Sequence, residues 1–198
     1  KVSEIFYSLQ GEGARAGTPT FFIRLQGCKA KNACYALGIK CDTEFESGEE
    51  YELADILRWM ELKQPSCKSI TWTGGEPTDQ LTGEMVDYFH LHGYHQSIET
   101  SGLNPTPPGI DFICISPKVA EHVIKKNFNN ILVHELRYVR HSGQAIPQPQ
   151  IPAPNLWLSP HSDGFNINEE NLKHCIQLCL DNPRWKLSVQ QHKFWNVL

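Results

Sequence analysis

Apolar positions recur along this chain with two different periods. Short apolar-rich runs at Thr20–Leu25, Ser69–Thr73, His95–Glu99, Asp111–Ile115, Ile131–Val139, Asn155–Leu158 and Trp185–Val189 predict strands. Between them, Tyr51–Leu62 places Leu53, Ile56, Leu57 and Met60 at helical spacing and predicts an amphipathic helix. Met85–His92, stopped by Gly93, and Glu169–Leu180 predict two more helices. Strands alternating with helices predict an α/β chain built on a mainly parallel sheet. Several strands end on small or polar residues: Thr73-Gly74-Gly75, Thr100-Ser101-Gly102, Ser116-Pro117-Lys118 and Ser159-Pro160-His161. In barrel-like α/β folds the site gathers where strands terminate, so these ends are the first candidates for chemistry. The stretch from His141 to Pro154 holds four prolines and reads as a loop. The roughly forty residues beyond it are too few for an independent core, so 1–198 is read as one domain.

Composition narrows the function classes. The 198 residues are 40% hydrophobic and 20% charged with formal net charge −4, so no basic stripe for nucleic acid is expected. No run of eighteen apolar residues exists, and the opening Lys1–Ile5 lacks the regions of a signal peptide. Neither a membrane nor a nucleic-acid partner is therefore expected. An odd count of seven cysteines argues against a secreted disulfide framework and for a reducing, cytoplasmic setting.

Three of the seven, Cys28, Cys34 and Cys41, fall within fourteen residues after a predicted strand. Thiolates suit iron–sulfur clusters and zinc alike. Three cysteines on a four-iron cluster leave one iron open to a ligand, whereas zinc usually takes four ligands in short pairs, and no C-x-x-C occurs here. A second feature is Thr73-Gly74-Gly75-Glu76-Pro77, where glycines admit close backbone approach and Glu76 could accept from a ligand ammonium. Read alone it is equally a tight turn into a helix start. Third is the opening stretch Glu4–Gly13, where glycines flank Glu12 and bend the backbone, with Arg24 in the adjacent strand. Arginine can grip a planar carboxylate with two parallel hydrogen bonds, or form a plain strand-surface ion pair. Cys114 reads as buried core, Cys175 and Cys179 as packing on one helix face, and Cys67 as a loop thiol.

The cysteine loop and the GGE segment together resemble the radical S-adenosylmethionine (SAM) superfamily. The ordered set Leu9–Gly13, Arg24-Leu25-Gln26-Gly27-Cys28, Cys41-Asp42-Thr43, Thr73–Pro77, Glu99–Gly102, Ser116–Lys118 and the closing Gln191–Leu198 is similar, over nearly the whole chain, to the 7-carboxy-7-deazaguanine synthase family. That resemblance implies a reduced, open (β/α)6-type partial barrel. It implies a [4Fe-4S] cluster on Cys28, Cys34 and Cys41, and Mg²⁺ near Thr43. It implies SAM against Gly75, Glu76, Ser116, Pro117, Lys118, Ser159, Pro160, His161 and Ser162. A pterin substrate is implied against Leu9, Gln10, Gly11, Glu12, Arg24, Thr73, His192 and the chain-end carboxylate of Leu198. The implied reaction contracts 6-carboxy-5,6,7,8-tetrahydropterin to 7-carboxy-7-deazaguanine with loss of ammonia, on the way to queuosine or another deazapurine. A 5′-deoxyadenosyl radical starts it, an external reductant such as flavodoxin feeds it, and a homodimer carries it. The spacing departs from the pattern, because the gaps are five and six residues and Gly38 stands where C-x-x-C would place a cysteine. Cys34 is the remaining cysteine of the segment and takes the middle place. Two rivals are a glycyl-radical-activating enzyme of the same superfamily and a zinc-stabilised binding protein without catalysis. The first needs no small pocket with Arg24, and the second would hold zinc without acid-labile sulfide.

Overall fold

The structure is a computed structural model and describes residues 1–38, 41, 43–164 and 166–197. Ten strands form: β1 (Val2–Leu9), β2 (Pro19–Leu25), β3 (Ser69–Gly74), β4 (His95–Thr100), β5 (Phe112–Ile115), β6 (Glu135–Arg140), β7 (Asn155–Pro160), β8 (Ser162–Asp163), β9 (Asn166–Ile167) and β10 (Lys186–Leu187). The helices are α1 (Lys31–Ala36), α2 (Leu53–Lys63), α3 (Gly83–Leu91), α4 (Glu121–Ile124), α5 (Glu169–Asp181) and α6 (Gln191–Trp195). Eight strands make one sheet in the order β1-β2-β3-β4-β5-β6-β7-β10, and β8–β9 is a separate small hairpin. From β2 to β7 each strand lies parallel to the next in sequence order, as expected of an open six-strand partial barrel. The sheet is not closed, because its edges are β1 and β10.

Parallel strands covered on both faces usually read as continuous apolar runs. These alternate instead. Ile70 and Trp72, Ile98, Ile113 and Ile115, Leu136, and Leu156 and Leu158 are fully or nearly fully buried in the core. The intervening positions carry hydroxyls and charges: Thr71, Ser97, Glu135, Arg137 and Ser159. Thr71 Oγ1 lies 3.1 Å from Thr20 Oγ1 and 3.0 Å from Ser97 Oγ, so one wall of the sheet is a linked polar surface. Helix α3 seals the apolar side. Its Thr82 cap accepts from the Met85 amide at 3.3 Å, and its Val86 carbonyl accepts from the buried Gln96 amide at 2.7 Å. Gln96 Oε1 in turn accepts from the Trp72 indole at 2.9 Å, so the largest buried side chain has its polar atom satisfied.

The helices at Tyr51–Leu62, Met85–His92 and Glu169–Leu180 and most strands fall where the apolar period placed them. Three expectations need correction. The strand expected over Ile131–Val139 begins at Glu135, because the preceding residues finish a turn in which the Ile131 amide donates to Phe128. The strand expected over Trp185–Val189 shrinks to Lys186–Leu187, paired only with Trp157 and Leu158. The opening stretch, for which no strand was expected, is strand from Val2 to Leu9, and the bend expected around Glu12 follows it. It runs antiparallel to β2 from Leu9 opposite Pro19 to Val2 opposite Leu25. As an edge strand it buries only Val2 and Phe6, which weakens its apolar signal. Crossovers are sparse: β4–β5 and β6–β7 are joined by loops, which is the reduced character expected.

Candidate active site

The parallel strands deliver their C-terminal residues to one end of the sheet, and three devices build a site there. The first joins the ends of β2 and β3. The Gly75 amide donates to Leu25 at 3.0 Å and the Glu76 amide to Gly27 at 2.9 Å. A Cβ on Gly75 would stand 1.9 Å from the Gly27 carbonyl oxygen and 2.9 Å from Cys28 Cβ, so only glycine lets these turns close. Glu76 is 1% exposed. Its Oε1 accepts from Thr100 Oγ1 at 2.6 Å and Thr78 Oγ1 at 2.7 Å, and its Oε2 from the Ser101 amide at 2.8 Å and the Ser101 hydroxyl. In this structure the Glu76 carboxylate therefore clamps β3 to β4, which differs from the expected acceptor for a ligand ammonium.

The second device is the loop from Gln10 to Thr18, closed by Gln10 and Gly17 (Gln10 amide to Thr18, 2.9 Å; Gly17 amide to Gln10, 2.8 Å). It folds back over the polar wall of the sheet. Arg15 reaches Ser69 Oγ at 2.7 Å and Ser97 Oγ, while the Ala14 amide donates to Glu135 Oε2 at 2.9 Å. The third device is the chain end. The Gln191 amide donates to the Gly11 carbonyl at 2.9 Å, Ser188 Oγ accepts from the Gly13 amide at 3.0 Å, and Lys193 Nζ donates to Gly164 of the small hairpin. Gly11 carries the His192 ring against its α-carbon, since a Cβ there would meet Nδ1 at 2.1 Å.

These devices enclose two adjoining cavities. The larger, about 450 Å³, is lined by Leu9, Gln10, Gly11, Glu12, Arg24, Thr73 and His192, every described residue expected at the substrate, along with Phe6, Phe22 and Lys193. The smaller, about 260 Å³, is lined by Cys34, Cys41, Ser116, Lys118, Ser159, Pro160, His161 and Ser162. Glu12, Thr43, Thr73, Glu99 and Gln190 border both. Among the residues expected at the cofactor, Gly75 and Glu76 line neither cavity, and Pro117 lines a third, smaller hollow beside His141. Cys28 is half-buried at the turn closed by Gly75, outside the lining of the smaller cavity. Leu198 lies outside the described residues, as does Asp42 beside Thr43.

Charge is arranged unevenly around this pair of cavities. Arg24 donates to Glu4 Oε2 at 2.6 Å and stands 4.8 Å over the Phe6 ring, so the ion pair and the cavity wall are the same residue. Burial pushes the Cys28 thiol up to about 11, with Glu76, Cys34 and Cys41 adding to it. Burial also raises Cys34, against the pull of Lys118. Lys118 is itself lowered by burial and donates to Ser116 Oγ at 2.7 Å. Among the described residues no three His, Cys, Asp or Glu side chains converge as a preformed metal cage.

The sequence reading missed Glu99, Arg137 and Gln190. Glu99 was within reach, because it precedes the Thr100-Ser101-Gly102 strand end. Arg137 was not, because an arginine inside an apolar run carries no signal of which face it takes.

No family model matches the chain. The sequence is 34% identical to the 7-carboxy-7-deazaguanine synthase of Bordetella pertussis, over 99% of this chain and 98% of that protein. It is 33% identical to the enzyme of the same name from Bacteroides thetaiotaomicron, over 100% of this chain and 98% of that one. The fold matches a crystal structure of QueE from Escherichia coli with a TM-score of 0.68 at 24% identity, covering 96% of this chain and 93% of that one. The chain belongs to the 7-carboxy-7-deazaguanine synthase family.

Proposed function

We propose that the two adjoining cavities bring SAM to a pterin, and that the protein contracts 6-carboxy-5,6,7,8-tetrahydropterin to 7-carboxy-7-deazaguanine with release of ammonia. The observation that carries this reading is the shared wall. Cys34, Cys41 and the strand-end Ser116, Lys118 and Ser159 open on one side, and Gln10, Arg24 and His192 open on the other. The donor chemistry fits a three-thiolate [4Fe-4S] cluster: three soft thiols on one segment, with Cys34 and Cys41 facing the smaller cavity and Cys28 at the turn closed by Gly75. Bound there, the cluster and SAM would supply one-electron radical chemistry.

The chain's own residues do the rest. Lys118 and Ser116 offer a cation and a hydroxyl to the carboxylate end of a ligand in the smaller cavity. In the larger cavity Arg24 faces an anionic group and Glu12 an N–H donor, while Phe6 and Phe22 supply apolar walls that exclude water. Thr43 stands at the boundary, where a hydroxyl beside a substrate carboxylate suits Mg²⁺. A flavodoxin-type reductant, a homodimeric state and a cytoplasmic setting complete the reading. Among the described residues no helix is long and apolar enough to cross a membrane.

The test is anaerobic turnover of the reconstituted protein with SAM, Mg²⁺, dithionite and 6-carboxytetrahydropterin, read by mass spectrometry. The expected result is 7-carboxy-7-deazaguanine, lost in Cys28→Ala, Cys34→Ala and Cys41→Ala together with the cluster absorbance, and kept in Cys67→Ala. Accumulation of 5′-deoxyadenosine without product would leave the radical chemistry and remove the substrate. A protein that holds four irons yet never cleaves SAM would refute the reading.

A further inference from the structure

Arg137, in the middle of β6, is 4% exposed and faces three carboxylates from three elements. Its Nη1 donates to Glu12 Oε2 at 2.8 Å. Its Nη2 donates to Glu99 Oε2 at 2.7 Å, Glu99 Oε1 at 2.9 Å and Glu135 Oε1 at 2.9 Å. The three carboxylates have different duties. Glu135 borders neither cavity. Its other oxygen accepts the Ala14 amide, and a Cβ on Gly13 would meet its Oε1 at 2.3 Å, so it anchors the loop. Glu12 and Glu99 border both cavities. Glu12 Oε1 is held by Ser159 Oγ at 3.1 Å, and Glu99 Oε1 by Gln10 Nε2 at 3.0 Å. The guanidinium thus joins a loop anchor to the two carboxylates of the shared wall.

We propose that Arg137 is the positioning residue of this site: it holds Glu12 and Glu99 aligned as acceptors for the N–H donors of the pterin ring. The inference rests on the pterin reading above. One guanidinium against three carboxylates leaves the cluster with an excess of two formal negative charges, and the two carboxylates on the wall suit an edge that offers donors rather than one that offers acceptors. Burial pushes the Glu99 carboxyl up, and Arg137 is the main cause opposing it. The groups facing this cluster are Glu12 from the loop, Glu99 from β4, Cys114 from β5, Glu135 beside it in β6, Lys118 beyond β5 and Arg15 below. Removing the guanidinium takes away the main opposition to the upward shift of Glu99, so that carboxyl takes up a proton at a higher pH than in the parent. Deprotonation then returns with rising pH, and acceptor strength returns with it.

The experiment measures fluorescence quenching of 6-carboxypterin by the reconstituted protein, anaerobically, across the neutral range, for the parent, Arg137→Met and Arg137→Lys. The parent should bind with little pH dependence. Arg137→Met should bind about tenfold more weakly near neutral pH, the loss of a hydrogen bond to a charged partner, and recover as the pH rises. Arg137→Lys should lie between them, since a point charge cannot span three carboxylates. Arg137 also borders the smaller cavity, so the control is the cluster absorbance, which should stay near the parent value. Parent-like pterin binding by both variants overturns the inference and leaves the pterin reading standing. So does joint loss of pterin binding, cluster absorbance and melting temperature with no pH dependence, which marks a merely structural role. If Arg137→Met does not fold, the Arg137→Lys profile decides: a flat profile refutes. A parent protein that binds no pterin takes down the pterin reading and this inference together.

Discussion

Gly75→Ala tests whether the joint between β2 and β3 sets the geometry of the cysteine loop. The added methyl would lie 1.9 Å from the Gly27 carbonyl oxygen, 2.5 Å from its carbon and 2.9 Å from Cys28 Cβ. Two of those three atoms are backbone, so no side-chain rotation relieves them. The ends of β2 and β3 must separate by about an ångström or more. That strains the Gly75-to-Leu25 and Glu76-to-Gly27 hydrogen bonds and moves Cys28. Overpacking a tight site costs about 1–3 kcal/mol, and each strained backbone hydrogen bond adds about 1 kcal/mol. A total near 3 kcal/mol in a chain of this size lowers the melting temperature by roughly 6–12 °C. Thermal melting measures this directly, and iron content after reconstitution reports on Cys28. The expected outcome is a depressed melting temperature with markedly less bound iron. A Gly75→Ala protein that melts and loads iron like the parent would show that the joint is slack and that the close approach has no structural consequence.

Gly11→Ala makes the complementary case. Its methyl would meet only His192 side-chain atoms, at 2.1 to 2.9 Å. The ring can swing away, so the melting temperature should change little while 6-carboxypterin binding falls severalfold; unchanged binding would remove His192 from the pocket. Glu99→Gln tests the buried charge by calorimetry across pH. A carboxyl whose pKa is raised on folding stabilises the protein below its unfolded value and loses that contribution as pH climbs through the folded value. The melting temperature of the variant relative to the parent should therefore rise as the pH climbs above the ordinary carboxylate range; a flat or falling difference would contradict the assigned direction.

What the sequence could disclose divides along physical lines. Periodicity reports burial, so Ile56, Leu57 and Met60 on α2 and the apolar positions of β3, β4 and β7 were legible as core. It fails where a strand lies at the edge, as β1 does, because half-exposure erases the alternation. It fails again at Ile131–His134, where buried Val133 lies in irregular chain before β6, since burial alone does not specify extended backbone. Motif resemblance located the strand-end residues, and the larger cavity gathers Leu9, Gln10, Gly11, Glu12, Arg24, Thr73 and His192 from four separate stretches of chain. Resemblance did not show which atoms are free to act. Glu76 looked like a ligand and is spent on Thr78, Thr100 and Ser101, because a carboxylate between two strand ends meets protein donors first. Arg137 looked like nothing, because its importance comes from Glu12, Glu99 and Glu135, which are distant or ambiguous in sequence and meet only when β4, β6 and the opening loop converge. Single residues that contact many partners across the sheet are thus the least legible part of this site. They are also where one substitution alters several cavity residues at once, which is why the binding profile of Arg137 variants discriminates more sharply than that of any residue lining the larger cavity.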